Sequence, residues 1–381
     1  MTKCYLSYNN ITSALGFDTL SVFENLKNEG SGIQLVQDAS RFYKPFFGSV
    51  ILTETLQTAF KSIESQNDHT RLEKMMILSL SKTIKSSGIK FNDRVGFIIS
   101  TTKGNIDVLD KRSQFPKERA YLGQLGTVIK DYFGFENDAI VVSNACVSGI
   151  LSVAIAKRYI QEGIYDHVFL VAGDLVSDFV LSGFNSFQAL SNTVCKPYDL
   201  ERTGINLGEV AASVLVTSKI NHLSEDAVEV LGDASCNDAN HISGPSRTGE
   251  GLYRCVKSAL KEANINSSDI DYISAHGTAT VFNDEMEAIA FNRLGLNHTP
   301  LNSLKGYFGH TLGASGLLET IIGMQSLNQN TLISSAGFEN LGVSQPLNII
   351  TKTTSKELRT FLKTASGFGG CNTAALFRKV S

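Results

Sequence analysis

The chain has 381 residues, with 34 Lys and Arg against 37 Asp and Glu and a formal net charge of −3, which argues against nucleic acid as its main partner. It is 42% hydrophobic and 19% charged, ordinary values for an α/β protein long enough to form two packed halves. Six scattered cysteines without a CxxC pair argue against a disulfide framework or a zinc site, and no apolar run reaches the length of a membrane-spanning helix.

In chain order, Met1-Thr2-Lys3-Cys4-Tyr5-Leu6-Ser7 has no long apolar core before the polar Asn9-Asn10 pair, which predicts no signal peptide. With no membrane-length run either, the expectation is a soluble cytoplasmic protein with no membrane partner. The run over 95–100 predicts a first buried strand. Lys111, Arg112, Lys117 and Arg119 then cluster in one Pro-containing loop, either a basic docking patch or a solvated charged loop.

Ala139-Ile140-Val141-Val142-Ser143-Asn144 is β-branched and apolar, so 139–144 predicts another buried strand. Leu151, Ala154, Ile155 and Tyr159 recur at helical spacing until Gly163, a natural C′ stop. Cys146 falls between the two, near the positive end of a helix dipole, a setting that lowers a thiol pKa and favours the thiolate. A small packed core residue is the alternative reading. Cys4, Cys195, Cys236, Cys255 and Cys371 show no comparable setting and read as packing residues.

Further strands are predicted over 167–172 and 211–217, and the polar stretch 218–226 reads as a seam. Beyond it, strands are predicted over 227–231, 270–275, 301–305, 360–365 and 374–378. The strand at 270–275 delivers His276 at its carboxyl end, and the one at 301–305 leads to Gly309-His310. Leu317, Leu318, Ile321, Ile322 and Met324 then mark a helix lasting to about Asn328. His310 is thus the positional counterpart of Cys146: strand, reactive residue, glycine, helix. Ligands of doubly wound sheets collect at carboxyl ends of strands, so one thiol and two imidazoles placed this way suggest acyl transfer. The alternative is a pair of hydrogen-bonded structural histidines.

Six segments share one further property. Ile11-Thr12-Ser13-Ala14-Leu15-Gly16 with Gly30-Ser31-Gly32-Ile33, Asn144-Ala145-Cys146, and Lys196-Pro197-Tyr198-Asp199 with Leu207-Gly208-Glu209 come first. His276-Gly277-Thr278-Ala279-Thr280 with Asn283-Asp284 and Glu287 follows. Lys305, Gly309-His310-Thr311-Leu312-Gly313-Ala314-Ser315-Gly316 with Glu319, and Gly367-Phe368-Gly369-Gly370-Cys371-Asn372 complete the series. In this order they resemble the β-ketoacyl-acyl carrier protein synthases of the elongating type, in the thiolase superfamily, along nearly the whole chain. Two histidines separate the chain from initiating synthases, which pair histidine with asparagine, and from thiolases, which use a second cysteine as base. It departs from the family pattern at Ala-Cys-Val-Ser-Gly, where "ACATG" is commoner, and at Cys371, where threonine is usual. The stretch 104–138 is also shorter than usual.

The resemblance implies an α/β thiolase-like fold of two pseudo-symmetric halves, each a mixed sheet flanked by helices, layered α-β-α-β-α. Residues 1–218 would carry the nucleophile, and 219–381 both histidines and the Gly-Phe-Gly-Gly loop. It implies that Cys146 takes an acyl chain and that His276, His310 and Lys305 serve decarboxylative condensation with a malonyl thioester. Cys146 and Phe368 would supply the oxyanion-hole N–H groups, Phe368 would also gate entry between Gly367 and Gly369, and Thr278 and Thr280 would bind phosphopantetheine. Asp284, Glu287 and Glu319 would tie the site loops together. No cofactor or metal is implied beyond the phosphopantetheine of an acyl carrier protein. Such carriers are acidic, which would make Lys111, Arg112, Lys117 and Arg119 a docking patch. A homodimer or a heterodimer with a related subunit is expected. The alternative function is a catalytically silent, chain-length-factor-like partner, although such subunits usually lack the nucleophile.

Overall fold

The apolar, β-branched runs become the strands of one eleven-stranded sheet in the computed structural model, which describes residues 2–63, 68–238 and 244–380. Its strands are β1 (Tyr5–Ser13), β2 (Val95–Ser100), β3 (Ile140–Val142), β4 (His167–Asp174), β5 (Val210–Thr217), β6 (Val228–Asn237), β7 (Tyr272–Ser274), β8 (Pro300–Asn302), β9 (Asn348–Ile349), β10 (Thr360–Gly367) and β11 (Cys371–Lys379). They lie in the order β9-β8-β7-β10-β11-β6-β1-β5-β4-β2-β3. From the short antiparallel β1–β6 contact outward, each side repeats one pattern: two antiparallel pairings, then parallel ones.

Five helices complete the layers: α1 (Arg71–Ser87), α2 (Ser148–Gln161), α3 (Glu250–Ala263), α4 (Val281–Arg293) and α5 (Ser315–Gln329). Helix α1 covers β1, β4 and β5, and α3 covers β6 and β11. Helices α2 and α5 pack on each other and on strands of both sides of the sheet, giving the expected α-β-α-β-α layering. This central crossing is unusually close. A Cβ on Gly149 would stand 2.7 Å from the Leu317 backbone nitrogen, and one on Gly316 would stand 2.6 Å from that of Ile150. Both helices therefore need glycine at their first turn, and both begin just after a candidate reactive residue.

Three expectations shift. The predicted strand 301–305 stops at Asn302, because Lys305–Phe308 winds into a helical turn. The strand at 227–231 runs on to Asn237 against β11. Strand β1 was not among the expected strands, since Ser7, Asn9 and Asn10 break its alternation around a register shift. No helix among the described residues is long and apolar enough to cross a membrane.

Candidate active site

At the carboxyl end of β3 the chain turns sharply. Ala145 sits in the left-handed region at φ 44°, and Ser148 Oγ both accepts from the Asn144 N–H at 2.7 Å and donates to the Ala145 carbonyl at 2.7 Å. This turn sets Cys146 into the wall of a cavity of about 540 Å³, which His276, His310, Thr278, Thr280 and Phe368 also line. Cys146 is nearly closed off, at 7% exposure. Burial pushes its thiol up to about 12, with Lys305 the strongest opposing charge. The expectation of a lowered thiol pKa is therefore corrected: α2 starts at Ser148, and desolvation outweighs its terminus.

His276 follows β7. Its own N–H and that of Gly277 donate to the two oxygens of buried Glu287, at 2.9 and 2.7 Å. Asp284 accepts from the N–H groups of Thr278 and Tyr198, at 2.9 and 2.7 Å, and burial raises its carboxyl to about 7. Two carboxylates one helical turn apart on α4 thus clamp the histidine loop. Gly277 is required here: φ is 38°, and a Cβ would stand 2.5 Å from that of Ser303. The Nδ1 of His276 has no hydrogen-bond partner among the described residues.

His310 is held differently. Its Nδ1 accepts from the Leu312 N–H at 3.1 Å, with Ser315 Oγ at 3.2 Å. A ring nitrogen that accepts from a main-chain N–H carries no proton, so the neutral ring keeps its proton on Nε2. The two imidazoles meet edge to face, with centroids 5.2 Å apart. Burial drives both pKa values well below the ordinary range, and Lys305 and Lys363 push the same way. Both rings are neutral near pH 7.

Lys305 donates to the His276 carbonyl at 2.7 Å and to Glu319 at 2.8 Å. It anchors the His276 main chain, while Leu312 fixes the His310 ring. Lys363, which sequence reasoning missed, pairs with the other oxygen of Glu319 at 2.5 Å. Its signal was available: one lysine in a strand whose first seven positions are buried.

Phe368 is 39% exposed, with Phe184 and Phe187 at 5.7 and 5.5 Å between ring centroids. Gly369 lies at φ 85°. A Cβ on Gly367 would meet the Cys146 nitrogen at 3.0 Å and the Cys371 sulfur at 2.9 Å, so this loop lies against the Cys146 main chain. Cys371, read from sequence as packing, also lines the cavity. The Thr278 and Thr280 hydroxyls share a hydrogen bond at 2.8 Å.

The basic loop divides by role. Arg119 pairs with the buried carboxylate of Glu73, and Arg112 bonds Asp110 and the Ser40 carbonyl. Lys111 and Lys117 are exposed, with no ion pair among the described residues.

Residues 10–222 match the family model "Beta-ketoacyl synthase, N-terminal domain", and 227–339 match "Beta-ketoacyl synthase, C-terminal domain". A 3-oxoacyl-[acyl-carrier-protein] synthase 2 of Rhizobium meliloti is 33% identical over 62% of this chain and 60% of its own length, so the chain aligns with less than two thirds of that relative. A putative polyketide β-ketoacyl synthase of Streptomyces halstedii is 30% identical over 73% of the chain and 70% of its own. Among solved structures, one chain of a ketosynthase in complex with its chain length factor from Xenorhabdus doucetiae superimposes at a TM-score of 0.88. Identity is 23%, with 100% of this chain and 98% of that one covered. A β-ketoacyl synthase of Burkholderia phymatum gives 0.87 at 20% identity, with 100% of both chains covered. At these identities the superpositions establish the fold.

Proposed function

Because the chain belongs to the β-ketoacyl synthase family, we propose that it is an elongating β-ketoacyl-acyl carrier protein synthase working through Cys146, His276 and His310. The observation that carries this reading is the convergence of the thiol and both neutral imidazoles on one cavity.

In the first half-reaction Cys146 sulfur attacks the carrier-bound acyl thioester. A sulfur–carbon bond forms to Cys146, the pantetheine sulfur leaves, and the Cys146 proton passes to it. The N–H groups of Cys146 and Phe368 are assigned to the oxyanion, and the close approach at Gly367 supports that pairing. A malonyl thioester then loses carbon dioxide, and its enolate carbon attacks the acyl group on Cys146. The new carbon–carbon bond forms as the Cys146 sulfur leaves as thiolate, which then takes a proton from solvent. His310, with its proton fixed on Nε2, donates to the developing enolate oxygen, and His276 is assigned beside it. Neutral rings suit this task, since a weakly acidic N–H donates a hydrogen bond to the enolate oxygen without surrendering its proton and quenching the carbon nucleophile. Lys305, Glu319, Asp284 and Glu287 keep the two loops in place. Thr278 and Thr280 are assigned to the phosphopantetheine arm, and Phe368, ringed by Phe184 and Phe187, to gating.

The same reading divides the chain into halves at 1–218 and 219–381, supported by the strand pattern repeated outward from β1–β6. Its partners are an acyl carrier protein, with Lys111 and Lys117 the better docking candidates, and a second subunit, the same or related. The presence of Cys146, His276, His310 and Lys305 together argues against a silent chain-length-factor role. Mass spectrometry after incubation with acylated carrier protein tests the proposal. Acylation confined to Cys146 and lost in Cys146→Ala supports it, and the absence of any adduct across donors of varied length overturns it.

A further inference from the structure

Lys363 lies fully buried in β10, in register with Ser274 of β7. Its ammonium donates to the carbonyls of Ser274 and Ala275, at 3.1 and 3.2 Å, the two residues that precede His276. It also pairs with Glu319 Oε2, while Lys305 pairs with Glu319 Oε1 and donates to the His276 carbonyl. Two ammonium groups therefore share one carboxylate, and three consecutive carbonyls, those of residues 274–276, are held by lysines. One lysine would neutralise Glu319. The second gives this three-residue cluster one positive charge in excess, and buried Glu287, which bonds the His276 N–H and also acts on Lys363, offsets part of it.

We propose that Lys363 is a positioning residue of the decarboxylation step, fastening the strand end that carries His276 and supplying the surplus positive charge behind both rings. The proposal rests on the catalytic reading above. A positive charge in this place does two things. It opposes protonation of the rings, and it favours the malonyl carboxylate and the enolate oxygen, both negative, in a chamber with little water to screen them. An apolar side chain would fill the same strand position without the desolvation that a buried ammonium requires.

Several other groups face the rings. Glu287 and Asp284 of α4 bond the main chain of the His276 loop, and Cys146 and Cys371 line the same cavity as the rings. Asp174 bonds the Gly313 N–H beyond His310. None of these is what depresses the His310 ring: besides burial, that is done by Lys305 and Lys363.

The test reads ring titration by NMR of histidine-labelled protein, with malonyl decarboxylation and Cys146 self-acylation measured in parallel. In the unaltered protein His276 and His310 stay neutral at about pH 6. In Lys363→Met and Lys363→Gln their midpoints rise by about one pH unit, the acid limb of decarboxylation rises with them, and self-acylation near neutral pH is kept. Lys363→Gln retains hydrogen-bond donors for the strand end and decides the matter if the Met variant does not fold. Ordinary histidine titration in the unaltered protein overturns the proposal. So do unmoved midpoints in the folded variants, even with activity lost, since that pattern marks a purely structural lysine. A protein that never releases carbon dioxide from a malonyl thioester overturns the catalytic reading instead, and the ring titrations separate the two failures.

Discussion

At Cys146 two effects compete, and burial wins. A helix start and Lys305 favour the thiolate, yet desolvation holds the thiol at about 12, so the resting thiol is protonated at neutral pH. Alkylation of Cys146 by iodoacetamide should then keep rising between about pH 7 and 10, the range in which an ordinary cysteine of pKa near 8.5 levels off. Peptide mass spectrometry at graded pH measures this, and a plateau near 8.5 contradicts it. The histidines have the opposite sign. Their folded pKa values lie below the unfolded one, so the charged form is the one that folding excludes. Their contribution to stability is present above about pH 6.5 and is lost as pH falls through that value toward the folded pKa. The ring whose Nε2 proton is fixed by Leu312 should also be separable from the thiol in function. His310→Ala is expected to lose malonyl decarboxylation by at least about tenfold while still accepting acyl groups on Cys146. Carbon dioxide release and intact-mass measurement on the same sample report the two steps, and undiminished release removes His310 from the chemistry.

Among the elements, the central helix pair has little room to change. Backbone atoms of α5 stand where a Cβ on Gly149 would go, and backbone atoms of α2 stand where one on Gly316 would go. Neither collision is relieved by a side chain moving aside. Gly316→Ala is expected to cost about 1–3 kcal/mol, read as a lower thermal midpoint, together with weaker Cys146 acylation because α2 begins at the nucleophile turn. A variant as stable as the parent shows that the helices can part. Legibility follows the same physics. The β-branched runs at 95–100 and 139–144 and the apolar spacing after Ser315 announce strands and a helix, because their signals are local. Ser303, Leu304 and Lys305 read as strand because the apolar residues before them do, whereas the chain leaves the sheet after Asn302 and Lys305–Phe308 forms a helical turn whose Lys305 bonds the His276 carbonyl. Strand β1 hides behind buried Ser7 and Asn10: Ser7 bonds His222 and Ser224 far along the chain, and Asn10 bonds the nearby Ile11 and Phe17 carbonyls. Cys146, His276 and His310, the residues proposed to react, stand out by their place after strand ends. The Lys363–Glu319 link escapes, since nothing local ties position 363 to 319.

Over the whole molecule, a net charge of −3 disfavours an acidic partner, so local charge must do the steering. The loop around Pro116 reads from sequence as either a basic docking patch or a solvated charged loop, and the fold separates its members. Arg119 compensates Glu73, which is fully buried and also bonds the Thr70 N–H and the Asn105 side chain. Arg119→Ala should therefore act on stability, by about 3 kcal/mol, because it strands a buried carboxylate. Lys111 and Lys117 stand in solvent, where a single ion pair is worth little but a field steers association and fades with salt. Lys111→Glu combined with Lys117→Glu should leave the thermal midpoint in place and weaken carrier-protein binding several-fold at low ionic strength, with the difference vanishing at high salt. Titration calorimetry at two salt concentrations, paired with thermal unfolding, distinguishes the two roles. Binding that is indifferent to the double reversal at low salt moves the docking face elsewhere, and an Arg119→Ala protein that unfolds like the parent shows Glu73 to be satisfied without it.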